Sequence, residues 1–159
     1  MNTILLATDG SPSAARATEV AIEIAEAANA PLHVVTAWSI PVSAFGYMPL
    51  VIVPEVADAE REKAASAAAQ AVEQAAAMGV SVSSEVREGQ AVEEICAAAR
   101  ELDASLAVVG AHGWGALKRL VLGSVSTGVL HRAPCPVLVV RGERAAERAE
   151  TQRAEQAAV

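Results

Sequence analysis

The sequence predicts a single-domain α/β protein: an open, twisted, five-stranded parallel sheet with helices on both faces, Rossmann-like in outline. Three observations carry this. The 159 residues suit one compact core. Short apolar clusters alternate with long alanine-rich segments, the pattern of strands joined by crossover helices. Those clusters end at Asp-Gly, at prolines or at glycines, where a strand gives way to a loop.

Ile4-Leu5-Leu6-Ala7 reads as the first strand, ending at Asp9-Gly10. Ser11 before Pro12 is a helix cap followed by proline at the first helical position, so a helix is expected from about 12 to 28. Leu32-His33-Val34-Val35 is the second strand, followed by a loop over 38–54 with three prolines. A long helix from about Glu55 to Met78 stops at Gly79. Val80-Ser81-Val82 opens a third strand whose alternation suits a half-exposed edge. A third helix spans 90–102, and Leu106-Ala107-Val108-Val109 is the fourth strand, breaking into a glycine-rich loop at Gly110. A short helix runs from about Ser124 to His131, and Val137-Leu138-Val139-Val140 is the fifth strand.

Residues 1–141 thus form the domain, and 142–159 a tail with four Glu and three Arg among alanines. That composition reads as a frayed, solvated helix or a disordered arm. The fifth strand is continuously apolar although, as the last strand, it belongs at a sheet edge, and an exposed Val-Leu-Val-Val edge invites pairing. Pairing with its own copy in a symmetric homodimer resolves the conflict; the competing arrangement is the tail folded across it.

Composition excludes several classes. A net charge of -7 argues against nucleic acid or an anionic membrane as partner, since phosphate backbones need clustered Lys and Arg. No apolar run reaches the roughly 18 residues of a spanning helix. The N-terminus lacks a basic leader and meets Asp9 too early for a signal peptide. Cys96 and Cys135 lack CxxC spacing and read as reduced core residues of a cytoplasmic protein, while three scattered His show no zinc-ligand pattern.

The segment after the fourth strand carries the chemistry. Gly110 and Gly113 let the backbone approach a ligand and adopt positive φ. Gly123-Ser124 opens a helix whose free N–H groups form an anion site, with the Ser124 and Ser126 hydroxyls as further donors. Between Ala104 and Gly142 lie four basic residues (Lys118, Arg119, Arg132 and Arg141) and no acidic one, whereas the rest holds eight basic against nineteen acidic residues. Together these point to a phosphate cradle. It is not a Walker A loop, because the chain has no Gly-Lys pair, and GxGxxG fails where Lys118 replaces the third glycine.

Gly110-x-x-Gly113, nine residues, then Gly123-Ser124 resembles the G-2x-G-9x-G[S/T] motif of ATP-binding universal stress proteins. The opening Ile-Leu-Leu-Ala-Thr-Asp-Gly-Ser and the closing Ala-Pro-Cys-Pro-Val-Leu-Val-Val are similar too, so the resemblance covers residues 1 to about 141. It implies strand order 3-2-1-4-5, which places Asp9 and Gly110 together where the winding reverses. By the same resemblance Asp9 is the carboxylate that hydrogen-bonds the nucleoside, Ala7 and Thr8 lie beside the adenine and Val35 is its apolar contact. Gly110, His112, Gly113, Gly123, Ser124, Val125 and Ser126 match the ribose- and phosphate-binding positions. The implied ligand is ATP with Mg²⁺ or Mn²⁺, and the implied role a nucleotide-dependent regulator of the stress response.

Each residue also has a plainer reading. Asp9 fits a turn or helix cap, although Ser11 already occupies the cap position and leaves the Asp9 side chain free. His112 is equally a ligand contact or a loop histidine bonded to backbone. Trp114 reads as packing on its own loop. Trp38, Phe45 and Tyr47 fall in the 38–54 loop, as a flap over the sheet end or as a dimer contact. Efficient ATP hydrolysis needs a carboxylate near the γ-phosphate to help hold the metal, and the phosphate-side segment has none. Binding is therefore expected without efficient turnover and without a catalytic residue. A slow ATPase using His112, a cyclic AMP or AMP binder, and a dimerisation module with an empty crevice are the alternatives.

Overall fold

The structure, a computed structural model, describes residues 3–40, 54–113 and 122–142. In chain order the elements are β1 (Ile4–Ala7), α1 (Pro12–Ala28), β2 (Leu32–Trp38), α2 (Pro54–Ala77), β3 (Val82–Glu88), α3 (Ala91–Glu101), β4 (Leu106–Gly110), α4 (Ser124–Arg132) and β5 (Val137–Val140). The five strands form one sheet of order β3-β2-β1-β4-β5, and every neighbouring pair is parallel. The expected topology is what the chain adopts.

Period-two alternation divides the core into two layers. Ile4, Leu6, Leu32, Val34 and Val108 face α1 and α2, whereas Leu5, Ala7, Val35, Ala107 and Val109 face α3 and α4. β1 is buried at all four positions because it has a strand on each side and a helix layer on each face. β3, at the edge, alternates between half-buried and exposed. The helices meet the sheet through alanine: the buried positions of α2 are Ala64, Ala67, Ala68, Ala71 and Ala75, spaced at helical period. The largest fully buried side chains are instead mostly on the strands. Burying small residues brings the helix axis close to the sheet, so volume changes there are poorly absorbed.

The helix ends follow the sequence signals. Ser11 caps α1, its Oγ accepting from Ala14 N at 3.3 Å, with Pro12 next. α2 ends in a Schellman motif: Gly79 at φ 75° donates to Ala76 O at 3.0 Å, and Val80 N donates to Ala75 O at 3.0 Å. Val80 is thereby drawn into the helix terminus and the core, and the ordered third strand begins at Val82 rather than Val80.

The end of the second strand also differs from expectation. β2 runs on through Thr36-Ala37-Trp38, which pair with Val86, Arg87 and Glu88. Trp38 is therefore a strand residue, not a flap residue, because the seven-residue edge strand gives β2 a partner along its whole length. Phe45, Tyr47, Trp114, Lys118, Arg119 and residues 143–159 lie outside the described residues.

Both cysteines are free; Cys96 is buried on α3 and Cys135 packs on the same core layer just before β5. Burial pushes both thiols above their ordinary pKa, the property of packing residues and not of nucleophiles. Arg87 on β3 joins Glu85 at 2.9 Å and Glu101 at 2.5 Å, pinning the end of α3 to the sheet edge. The hydrogen bond from Arg87 holds the Glu101 carboxyl below its usual range. Among the described residues no helix is long and apolar enough to cross a membrane.

Gly79 has left-handed φ with no atom within 4 Å of where a Cβ would stand. Gly79→Ala is therefore expected to cost only backbone strain, about 1 kcal/mol. Urea unfolding should record that loss with an unchanged far-ultraviolet spectrum.

Candidate functional site

A cleft of about 370 Å³ opens at the carboxyl ends of β2, β1 and β4. This is where the winding reverses, since β1 leads out to β2 on one side and β4 lies on the other. Its floor is apolar, made by Ala7, Val35, Val109 and Ile95, all buried. Thr8 and Asp9 rise from β1 on one side, and Gly110, His112 and Gly113 follow β4 on the other. Gly123, Ser124, Val125 and Ser126, the start of α4, close the far end.

The β1 exit is shaped by its own polar groups. Gly10, at φ 73°, turns the chain back, and its N donates to Thr8 Oγ1 at 3.2 Å. Asp9 Oδ1 accepts from Ser11 N at 2.9 Å. The Asp9 side chain is therefore not left free by the Ser11 cap: capping uses the Ser11 hydroxyl, and the Ser11 amide is a separate donor that Asp9 takes. The other carboxylate oxygen reaches across the cleft. A Cβ on Gly113 would stand 2.8 Å from Asp9 Oδ2, so the carboxylate occupies the place a side chain would need.

Steric closeness explains the other motif glycines too. A Cβ on Gly110 would lie 3.0 Å from Ala14 N, in the first turn of α1, and one on Gly123 would lie 3.2 Å from Ala111 O. Positive φ is confined to Gly10, Gly79 and Gly89 among the described glycines. Of the two glycine properties expected from the sequence, close approach operates at these three positions and left-handed backbone does not.

The loop after β4 is clasped from both sides. Ala111 N donates to Val140 O at 2.7 Å, and Gly123 N donates to Ala111 O at 2.8 Å. His112 N donates to Ser13 Oγ, and Ser11 Oγ donates to His112 O, each at 3.4 Å. Backbone direction at His112 is thus set by the start of α1, and the residue lines the cleft. Gly123 caps α4 without a side-chain acceptor, and the first-turn N–H groups of a helix have no acceptor within it. Two serines sit on that turn and differ in role. Ser124 is exposed at the rim. Ser126 is buried, its hydroxyl directed to Ala111 O at 3.0 Å and Gly123 O at 2.9 Å. In this structure the Ser126 hydroxyl is directed at carbonyls and not into the cleft, and in that way Ser126 fastens Ala111 to the start of α4.

All eleven residues singled out from the sequence therefore meet at one cleft. Five that the sequence reading did not assign to the site also line it: Ala14, Ala37, Ala91, Ile95 and Val109. Ala37 was open to inference, two positions beyond Val35 on the same strand and so on the same face. Ala91 and Ile95 arrive from α3 through tertiary packing, which no local motif signals. Among the described residues no group of three or more His, Cys, Asp or Glu is placed to hold a metal ion.

The chain is an open doubly wound α/β sheet with a crevice at its switch point, the place where sheets of this class hold ligands. The Universal stress protein family model matches residues 1–141, and the chain belongs to that family. It is 34% identical over 148 residues to universal stress protein YxiE of Bacillus subtilis, covering 88% of this chain and 99% of that one. A universal stress protein of Thermus aquaticus is 41% identical over 140 residues, covering 87% and 98%. Among solved structures, a universal stress protein in complex with cAMP superposes with a TM-score of 0.66 at 29% identity, covering 89% of this chain and 98% of that one.

The two serines can be told apart by substitution. Ser126→Ala is expected to lose about 1 kcal/mol of unfolding free energy through its buried hydrogen bonds. Ser124→Ala, at the exposed rim, should stay within about 0.5 kcal/mol of the parent. Denaturant titration of both variants checks the assignment.

Proposed function

We propose that this protein binds an adenine nucleotide, ATP with Mg²⁺ or Mn²⁺, in the cleft between β1 and β4. It acts there as a nucleotide-dependent regulatory protein of the stress response. The observation that carries this reading is the pairing of opposite chemistries in one crevice. An apolar floor of Val35, Val109 and Ile95 suits a base, and the uncapped start of α4 suits phosphate. The Asp9 carboxylate, facing Gly113 between those ends, suits the hydroxyls of a ribose. The cAMP-bound relative supports the class of ligand.

The lining offers Asp9 and the Ser124 hydroxyl as hard oxygen donors. A divalent cation would accordingly be held chiefly by phosphate oxygens and water. Among the described residues Asp9 is the only carboxylate of the lining and stands on the β1 side, opposite the helix start, which favours binding over rapid hydrolysis. Because a static grip suffices for a switch, the reading needs no catalytic residue.

We also propose a homodimer through β5. That strand is an edge, and Val137, Leu138 and Val139 are only half-buried in one chain. The bonds Ala107 N to Pro136 O and Ala111 N to Val140 O put the even-numbered carbonyls on the β4 side, so Val139 turns its backbone groups outward. A second copy would satisfy them.

ATP should raise the melting temperature, as any ligand of the native state alone does. Gly113→Val, which drives a side chain into the Asp9 carboxylate, should abolish that rise while the protein still melts cooperatively. A folded Gly113→Val protein with undiminished ATP stabilisation would show that the cradle is misplaced. For the dimer, sedimentation velocity should give twice the 16.3 kDa chain mass. Val139→Pro, which removes an outward N–H and spares the β4 ladder, should return the monomer.

A further inference from the structure

The four basic residues of the carboxylate-free segment do not share one role. Lys118 and Arg119 lie outside the described residues. Arg132 is at the far end of α4 and pairs with Glu93 at 3.7 Å, away from the cleft. Arg141 is different: it is exposed at the carboxyl end of β5, the same sheet end as the cleft. Among the described residues it has no carboxylate within ion-pair distance.

Its direction follows from the alternation of its neighbours. Val139 packs on the α3/α4 layer and Val140 on the α1/α2 layer. Gly142 faces α1, where a Cβ would stand 3.4 Å from Ser13 Cα. Continued one residue past the end of β5, that alternation puts Arg141 on the α4 side, at the margin of the cleft and not among the residues that line it. Its lateral position follows from the register, Gly110 opposite Val140, so Arg141 stands beside Ala111.

The cleft has a direction as well. Its walls come in order from β2 (Val35, Ala37), β1 (Thr8, Asp9) and β4 (Gly110), with the start of α4 beyond. A nucleotide lying with its base over β2 and its α-phosphate at β4 would extend its outer phosphates toward β5. One strand spacing, ~4.8 Å, separates those two strands. We infer that Arg141 is the specificity-determining residue for the outer phosphates, so the site prefers a nucleoside triphosphate to a monophosphate or cyclic monophosphate. This rests on the nucleotide-binding reading above. A guanidinium is suited to the task because it stays charged and offers forked donors to phosphate oxygens.

Isothermal titration of ATP, AMP and cAMP into the full chain and its Arg141→Ala and Arg141→Lys variants tests this. Arg141→Ala should weaken ATP binding about 10- to 100-fold, the scale of a charge-assisted hydrogen bond. AMP and cAMP affinities should stay within about twofold, and Arg141→Lys should recover part of the ATP affinity. Equal weakening of all three nucleotides, or unchanged ATP binding by Arg141→Ala, would overturn the assignment and leave the cleft reading standing. If the parent chain binds none of the three, the cleft reading itself fails and this inference goes with it.

Discussion

The passage of the chain out of β4 is where the structure has least room. At Gly110 the backbone lies against the first turn of α1, at Gly113 it lies against the Asp9 carboxylate, and at Gly123 against the Ala111 carbonyl. In each place a methyl group would come within about the closest distance real Cβ atoms tolerate, and at Gly113 inside it. Only residues without side chains fit at those three points, where the chain leaves β4 and where it enters α4. Ser126, Ser11 and Ser13 then fasten it with hydrogen bonds to backbone on both flanks.

This constraint explains why alanine dominates the helices. The carboxyl ends of β1 and β4 can adjoin α1 this closely only if the helix packs low on the sheet. The buried positions of α1 are accordingly small (Ala14, Ala17, Ala21 and Ala25, with Thr18), apart from Ile22. The same economy appears in α2, where Ala67 stands 3.2 Å from the position of a Cβ on Gly10. Large side chains are kept on the strands, where they fill both layers without pushing the helices away.

Much of this was legible in the sequence, for identifiable reasons. The nine elements could be expected because capping and stop signals are local, as Ser11-Pro12 and Gly79 act through their own backbones, whereas the strand order was implied only by the family resemblance. The cleft residues were legible because the glycine spacing and the Asp9-Gly10 turn stand at strand ends that a parallel sheet must bring together. What could not be read was the partner of each group. The sequence shows Ser11 as a cap but not that its amide donates to Asp9, and shows Ser126 near a helix start but not that its hydroxyl donates to Ala111 O. It shows Val35 as the end of an apolar run, whereas β2 continues to Trp38 because β3 is long enough to pair with it. Ile95 enters the cleft from a helix more than eighty residues after Asp9, a proximity set only by the packed layer.

The charge pattern is the case where sequence and fold have to be combined to mean anything. Counting along the chain finds a stretch without carboxylates, yet a stretch is not a surface, and its two described cations, Arg132 and Arg141, end up apart once it folds. Arg132 travels the length of α4 and is neutralised by Glu93 on α3. Arg87, outside the stretch and far from it in sequence, is bound into the β3 edge by Glu85 and Glu101. Arg141 remains at the sheet end, because β5 is parallel to β4 and delivers its last residues where β4 delivers Gly110. An antiparallel fifth strand would have carried the same residue to the opposite end, so parallel pairing is what turns a charge count into a local field.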